Sequence, residues 1–380
     1  MMIKVAHIIT GLANGGAETM LLKLLVGGKG GGFDPLVISL TDEDVMGDRF
    51  RAAGIPVVTC DIPPGRFSVR GFLRLLHHLR HFRPEIVQTW LYHADLLGGI
   101  AAKLLGIRSV VWNIRHSNLD GDKNKAYTLC VVRINALLSG WLPKRIICNS
   151  ANAAAIHQSR GFFSESFLII PNGFDLDTLK PCDDAKDGIC MEFNIPVDAS
   201  LVGLIARFDL QKNHEGFVEA VSRVSAVNTN AYFLMAGTGV DWSNQTLVSW
   251  VDAHGLRDRV RLLGRRDDIP RLTAALDVAV CSSWGEGFPN AVGEAMACEV
   301  PCVVTNVGDC AKIVGDTGWV VEPGDMVALG DRIATALSMS TAERSRKGKR
   351  ARERIVEHYS LSAVLAQYES LYYSMLMELR

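Results

Sequence analysis

Glu286 and Glu294 stand eight positions apart in the segment Ser282-Ser283-Trp284-Gly285-Glu286-Gly287-Phe288-Pro289-Asn290-Ala291-Val292-Gly293-Glu294. The segment follows an apolar run, Asp277 to Cys281, and opens a helix near Asn290, whose side chain can cap it. Amides at a helix start lack intrahelical partners, and with the helix dipole they favour an oxygen-rich or anionic ligand. Glu286 then lies in the loop and Glu294 one turn into the helix, so the two carboxylates address different parts of one extended ligand. Carboxylates accept hydrogen bonds well from vicinal hydroxyls, which suits a sugar at one end and a ribose at the other. An acidic helix start with a solvated glutamate accounts for the pair equally well, so other residues must decide.

Two cations lie upstream, in Ala206-Arg207-Phe208-Asp209-Leu210-Gln211-Lys212-Asn213, directly after an apolar run. Arg207 offers a planar fork and Lys212 a point charge, a pairing suited to adjacent phosphates. Taken alone, such charges are more often plain surface residues. A third element is Gly11-Leu12-Ala13-Asn14-Gly15-Gly16-Ala17-Glu18, after the first apolar run. Glycine there lets backbone amides approach a phosphate closely. The loop is not G-x-G-x-x-G, and no acidic residue ends the second run as the dinucleotide fingerprint requires.

Something must hold these loops at strand ends. Short apolar runs alternate with helical stretches at Ile3 to Ile9, Leu36 to Leu40, Val57 to Cys60, Glu85 to Thr89, Ser109 to Asn113 and Arg145 to Asn149. A second series follows at Leu201 to Ala206, Ala231 to Ala236, Arg259 to Leu263, Asp277 to Cys281, Pro301 to Thr305 and Gly318 to Val321. Near-continuous apolar strands between helices imply parallel sheets covered on both faces. The expected fold is therefore α/β: two Rossmann-like, doubly wound domains facing across a cleft, with ligands at the carboxyl ends of the strands. A polar, turn-rich stretch from Pro171 to Gly188 reads as the linker. The expected boundaries are 1–178, 179–360 and a final helix, 361–380, whose apolar stripe of Leu365, Tyr368, Leu371, Tyr372, Met375 and Leu376 crosses back to the first domain.

The 380 residues suffice for two domains, and 48% hydrophobic with 21% charged composition excludes a disordered or fibrous chain. A net charge of −1 gives no general attraction to nucleic acid. Nine cysteines without a C-x-x-C pair point to free thiols in a reducing compartment, and no ligand cluster announces a metal. No apolar run is long enough to span a bilayer. Between Gly65 and Pro84, however, Arg66, Arg70, Arg74, Arg80 and Arg83 accompany Phe72, Leu73, Leu75, Leu76 and Leu79 at helical spacing. That pattern fits either an ordinary surface helix or one lying on anionic lipid.

Together, the Glu286 to Glu294 spacing in E-G-F-P-x-x-x-x-E-A-M-A, Arg207 and Lys212, the Gly15-Gly16 loop and the Pro171-Asn172-Gly173 turn resemble the retaining nucleotide-sugar glycosyltransferases of family 4, with the GT-B fold. Trp90-Leu91-Tyr92-His93-Ala94-Asp95 and Ile114-Arg115-His116-Ser117 resemble the bacterial polysaccharide and lipopolysaccharide subgroup. The resemblance implies a cytoplasmic enzyme that can lie peripherally on the inner face of the cell membrane. It would move a sugar from a nucleotide diphosphate donor to a glycan or lipid-linked acceptor, with no cofactor and no metal.

The resemblance also implies roles. Glu286 accepts from donor-sugar hydroxyls, the backbone of Gly287, Phe288, Pro289 and Asn290 lines sugar and phosphate, and Glu294 holds the ribose. Arg207 and Lys212 neutralise the diphosphate, Gly15 and Gly16 approach the same phosphates, and His116 lies near the transferred sugar. One departure stands out: many family members carry a glutamate where this chain has Lys312, in Val307-Gly308-Asp309-Cys310-Ala311-Lys312. A sugar-nucleotide epimerase of the same fold, or a non-catalytic nucleotide-sugar-binding protein, would use the same donor residues. Donor isomerisation without acceptor, or binding without turnover, would identify them.

Overall fold

The computed structural model describes residues 2–13, 15–115, 119 and 125–378. The chain forms two compact units, Met1–Gly173 with Leu361–Arg380, and Phe174–Ser360.

The first unit is built on seven parallel strands: β1 (Ile3–Ile9), β2 (Phe33–Ser39), β3 (Val57–Thr59), β4 (Ile86–Trp90), β5 (Val110–Ile114), β6 (Arg145–Cys148) and β7 (Phe167–Ile169). Their order is β3-β2-β1-β4-β5-β6-β7, so the winding reverses between β1 and β4. In register, Ala6 sits between Leu36 and Val87. Strands β4 and β5 are buried at every residue, as a sheet covered on both faces requires. Strand β7 has no counterpart in the sequence reading, because three residues after a polar turn leave no periodic signal.

Helix Leu361–Met377 belongs to this unit and buries Val364, Tyr368, Leu371, Tyr372 and Met375. Its two buried tyrosines keep polar tips among the apolar packing. The Tyr368 hydroxyl accepts from Arg115 Nη2 at 2.7 Å and from Asn113 Nδ2 at 3.1 Å, and the Tyr372 hydroxyl donates to Gln88. Arg115 also donates to Asn172 and lies 5.0 Å from the centre of the Trp90 ring. A buried guanidinium is tolerated here because hydrogen bonds and an aromatic face receive its charge.

The second unit has six parallel strands, β8 (Ser200–Ile205), β9 (Ala231–Ala236), β10 (Val260–Leu262), β11 (Val278–Cys281), β12 (Cys302–Thr305) and β13 (Trp319–Val321), ordered β10-β9-β8-β11-β12-β13. Its winding reverses between β8 and β11. The chain enters it at Phe174, earlier than the expected 178/179 boundary. The Phe174 N–H donates to Tyr359 O at 2.8 Å, and its ring stacks on Phe288 with centroids 6.0 Å apart. Gly293 makes room for that ring, since a Cβ there would lie 2.1 Å from it. The stretch expected as linker is also partly ordered packing: Ala185–Glu192 is a helix that buries Ile189 and Cys190. All nine cysteines are free thiols, and no helix among the described residues is long and apolar enough to cross a membrane.

Candidate active site

In an open α/β sheet the loops at the winding reversal splay apart and leave a crevice at the strand carboxyl ends. In the second unit those loops are the ones after β8 and β11, which carry Arg207 to Lys212 and Ser282 to Pro289. Asp209 shapes the first loop: its Oδ1 accepts from Gln211 N at 2.9 Å, and its Oδ2 receives Arg207 Nη2 and Nε at 3.2 and 3.3 Å. Asn213 then adopts a left-handed conformation, φ 52°, and caps the next helix through Gly216 N at 3.0 Å. The turn delivers Lys212 inward. Its Nζ lies 2.6 Å from Glu286 Oε1, with the two side chains 26% and 10% exposed.

The Glu286 carboxylate is held from several sides. Ser283 Oγ donates to the same Oε1 at 2.7 Å, and Cys281 Sγ lies 3.9 Å away. The two loops are joined directly: Trp284 N donates to Gln211 O at 2.8 Å, and Ser282 Oγ donates to the carbonyls of Lys212 and Asn213 at 3.0 and 3.1 Å. Thr305, at the end of β12, donates to Ser283 O at 2.7 Å. The structure thus brings Lys212 and Glu286 together, while the Arg207 side chain, 69% exposed, pairs with Asp209.

Helix Asn290–Ala297 follows, with Glu294 on it. Asn290 is its first helical residue and not its cap; Pro289 occupies the cap position with φ −80° and ψ 87° and no side-chain hydrogen bond. The Phe288 ring turns into the core between Phe174 and Tyr359, so only its backbone remains available to a ligand. Lys312 lies on the short helix Cys310–Val314, and its carbonyl accepts from Arg354 Nη2 at 2.8 Å.

Gly308 is a glycine beside the site that tolerates no side chain. It adopts φ +55°, and a Cβ there would stand 2.3 Å from Glu286 O and 2.8 Å from Gly287 O. Gly308→Ala is therefore expected to displace the backbone that carries Glu286. It should lower kcat/KM by at least about tenfold, equal to about 1.4 kcal/mol of transition-state stabilisation. Steady-state kinetics beside a melting curve check this, and unchanged kinetics would show that the loop absorbs the methyl group.

In the first unit, Gly15 precedes helix Gly16–Gly27 as its cap. A Cβ at Gly15 would strike the Glu18 carboxylate at 2.4 Å, whereas one at Gly16 would meet nothing within 4 Å. Burial raises the Glu18 carboxyl above the ordinary range. Gly16 therefore presents bare backbone at the carboxyl end of β1. His116 lies outside the described residues. Trp90, Tyr92 and Asp95 are structural: Trp90 is buried, the Tyr92 hydroxyl lies 2.8 Å from His157 Nε2, and Thr89 Oγ1 donates to Asp95 Oδ1 at 2.5 Å.

Asp209, Ser283 and Thr305 escaped the sequence reading. Asp209 and Ser283 sit two and three positions from residues that were singled out, as partners of a turn and a loop acid commonly do. Thr305 is distant in sequence, and only strand pairing brings it near.

Comparison with known proteins agrees across both units. Residues 14–178 match the model described as Glycosyltransferase Family 4, and residues 199–339 match the one described as Glycosyl transferases group 1. The N-acetyl-alpha-D-glucosaminyl L-malate synthase of Bacillus anthracis is 31% identical over 189 residues, about half the length of either chain. The UDP-Gal:alpha-D-GlcNAc-diphosphoundecaprenol alpha-1,3-galactosyltransferase of Escherichia coli is 26% identical over 88% of this chain and 86% of its own. Among solved structures, Anabaena Alr3699/HepE in complex with UDP superposes with a TM-score of 0.85 at 20% identity, covering 98% of this chain and 100% of that one.

Proposed function

Because the chain belongs to the family 4 glycosyltransferases and has their GT-B fold, we propose that it transfers a sugar, with retention of anomeric configuration, from a nucleotide diphosphate donor held by the second unit. The observation that carries this reading is the meeting of Lys212 and Glu286 at the crevice between β8 and β11. A cation there neutralises a diphosphate, and the acid beside it accepts from sugar hydroxyls. Glu294, further along the helix, takes the ribose, and Arg207 can leave its exposed pairing with Asp209 for phosphate.

In the reaction the bond between the anomeric carbon and the phosphate oxygen breaks, and a bond to the acceptor oxygen forms on the same face. The acceptor proton passes to the departing phosphate. Charge develops on that phosphate, so pre-positioned Lys212, Arg207 and the amides at the start of helix Asn290–Ala297 stabilise the transition state more than the ground state. These groups supply the charge that a divalent cation supplies elsewhere. Activity is accordingly expected to survive a chelator; an absolute need for magnesium or manganese would contradict the metal-independent part of the reading.

A donor screen by thermal shift tests the assignment, because a ligand bound to the folded state raises the melting temperature by mass action. UDP-sugars are the first candidates, since the Escherichia coli relative is named for one. If no nucleotide sugar shifts the melting curve, the donor assignment fails. Retention is read from the anomeric proton of the product by NMR, and an inverted linkage would refute it.

The acceptor belongs to cell-surface polysaccharide or lipopolysaccharide assembly, the setting named for some of the relatives. Helix Val69–Phe82 buries Gly71, Leu75 and Leu79, and exposes Val69, Arg70, Leu73 and Arg80. Exposed Phe67 and Arg66 precede it. Such a face suits the anionic cytoplasmic surface of the cell membrane. Co-sedimentation with anionic vesicles at low salt and release at high salt is expected; absence of binding at low salt would remove the membrane contact.

A further inference from the structure

Cys281 closes β11 and Cys310 opens the short helix Cys310–Val314, and their sulfurs lie 4.0 Å apart. The two are 29 positions apart in the chain, so the fold alone brings them together. Cys310 is fully buried, whereas Cys281 keeps 8% exposure. Cys281 also touches the donor site: its Sγ lies 3.5 Å from Ser283 Oγ and 3.9 Å from Glu286 Oε1, the oxygen that holds Lys212. Burial pushes the Cys60 and Cys298 thiols up to about 12 and raises those of Cys148 and Cys302 as well. Cys281 is buried too, yet its hydrogen bond with Cys310 holds the thiol below its ordinary value, against burial and the nearby Glu286 carboxylate. The same bond raises Cys310. One sulfur is thus disposed to be a thiolate, the nucleophilic form, while its neighbour keeps a proton.

A crosslink between them would act on the site through very short segments of chain. Asp309 N, beside Cys310, donates to Gly287 O at 3.3 Å, and Gly308 fits against Glu286 O with no room for a Cβ. A disulfide needs the sulfurs to close to about 2.05 Å. Closure either turns Cys281 away from Ser283 and Glu286, or draws Gly308 and Asp309 against the backbone of Glu286 and Gly287.

We propose that Cys281 and Cys310 form a modification site for hydroperoxides, at which oxidation to a disulfide lowers affinity for the donor and reduction restores it. The effect on the donor rests on the glycosyltransferase reading; the crosslink does not. The Cys281 thiolate attacks one peroxide oxygen, the O–O bond breaks, and the departing oxygen takes up a proton, leaving a sulfenic acid on Cys281. The Cys310 sulfur then attacks that sulfur, the S–O bond breaks, and hydroxide leaves as water with the Cys310 proton. With hydrogen peroxide, two thiols and one peroxide become one disulfide and two waters, and an added dithiol reverses the crosslink by exchange. Transient disulfides of this kind are the sort that occur in reducing compartments.

The test treats the full chain with hydrogen peroxide and reads a crosslink and a binding constant. Cleavage after acidic residues separates Cys281, Cys298, Cys302 and Cys310, because Asp277, Glu286, Glu294, Glu299, Asp309 and Asp316 lie around them. Peptides 278–286 and 310–316 should appear joined, lighter than their sum by two hydrogens, and separate again with dithiothreitol. UDP affinity, read by calorimetry, should fall at least about fivefold on oxidation and return on reduction, because hydrogen bonds to a phosphate are charge-assisted and sensitive to placement. Cys310→Ser should bind UDP like wild type before treatment, form no crosslink, and show no loss that dithiothreitol reverses. Cys310→Ala replaces it if the buried hydroxyl destabilises the chain. The inference is overturned if the joined peptides do not form, if Cys281 joins Cys302 instead, if oxidised wild type binds UDP as tightly as before, or if Cys310→Ser shows the same reversible loss. Failure of the donor reading looks different: untreated wild type would then bind no UDP, while the crosslink would still form.

Discussion

Lys212→Ala is expected to lower kcat by about 10²- to 10³-fold, the range seen when one pre-positioned donor to a developing oxyanion is removed, or about 2.7–4 kcal/mol. The size follows from placement. Lys212 is three-quarters buried and fixed at 2.6 Å from Glu286, so little reorganisation is needed when charge appears on the leaving phosphate. Its removal also leaves Glu286 without its cation, and an acid facing a diphosphate then repels it. Arg207→Ala should cost less, because that guanidinium is exposed and screened by solvent and Asp209. Lys212→Arg should recover only part of the rate, since the planar fork does not fit a point contact. Turnover and KM measured through nucleotide release decide the matter. If Lys212→Ala and Arg207→Ala both turn over like wild type, the phosphate lies elsewhere.

Deletion of residues 361–380 is expected to unfold the first unit outright. Helix Leu361–Met377 buries Val364, Tyr368, Leu371, Tyr372 and Met375 in that unit. At about 1.5–3 kcal/mol for each large apolar side chain, the loss is roughly 8–15 kcal/mol. A domain's whole stability is about 5–15 kcal/mol. The deletion also strips Arg115 of the Tyr368 hydroxyl and leaves a buried cation short of a partner. Limited proteolysis should digest residues before 173 while the second unit, which carries its own core, resists. A truncated chain as resistant as the full one in its first 173 residues would show that the helix only decorates the surface.

Much of this architecture is legible in the sequence because buried parallel strands write themselves as apolar runs. Ile3–Ile9 and Ala231–Ala236 are read to the residue. Strand β7 is not, because Phe167–Ile169 has only half-buried and exposed positions and draws its stability from pairing with β6. The stretch expected as linker differs for a related reason. Asp183 to Gly188 is polar enough to look like a connection, yet Ile189 and Cys190 just beyond it anchor a helix to the core. In the site, Glu286 and Lys212 are visible as charged residues at strand ends, but their distance is not, since it depends on the Asp209 turn and the Asn213 left-handed residue. Asn290 misleads as a cap because asparagine usually serves there, whereas Pro289 had already taken the position.

The first unit is discontinuous along the chain, with its last helix contributed after the whole of the second. On a ribosome adding about 5–20 residues per second, roughly ten to forty seconds separate Gly173 from Leu361. Throughout that interval the amino-terminal sheet waits on the nascent polypeptide with part of one apolar face uncovered, while the later half has everything it needs to mature. Synthesis therefore inverts the usual order of events, and a messenger cut short near its end yields chains whose early portion is prey for chaperones and proteases.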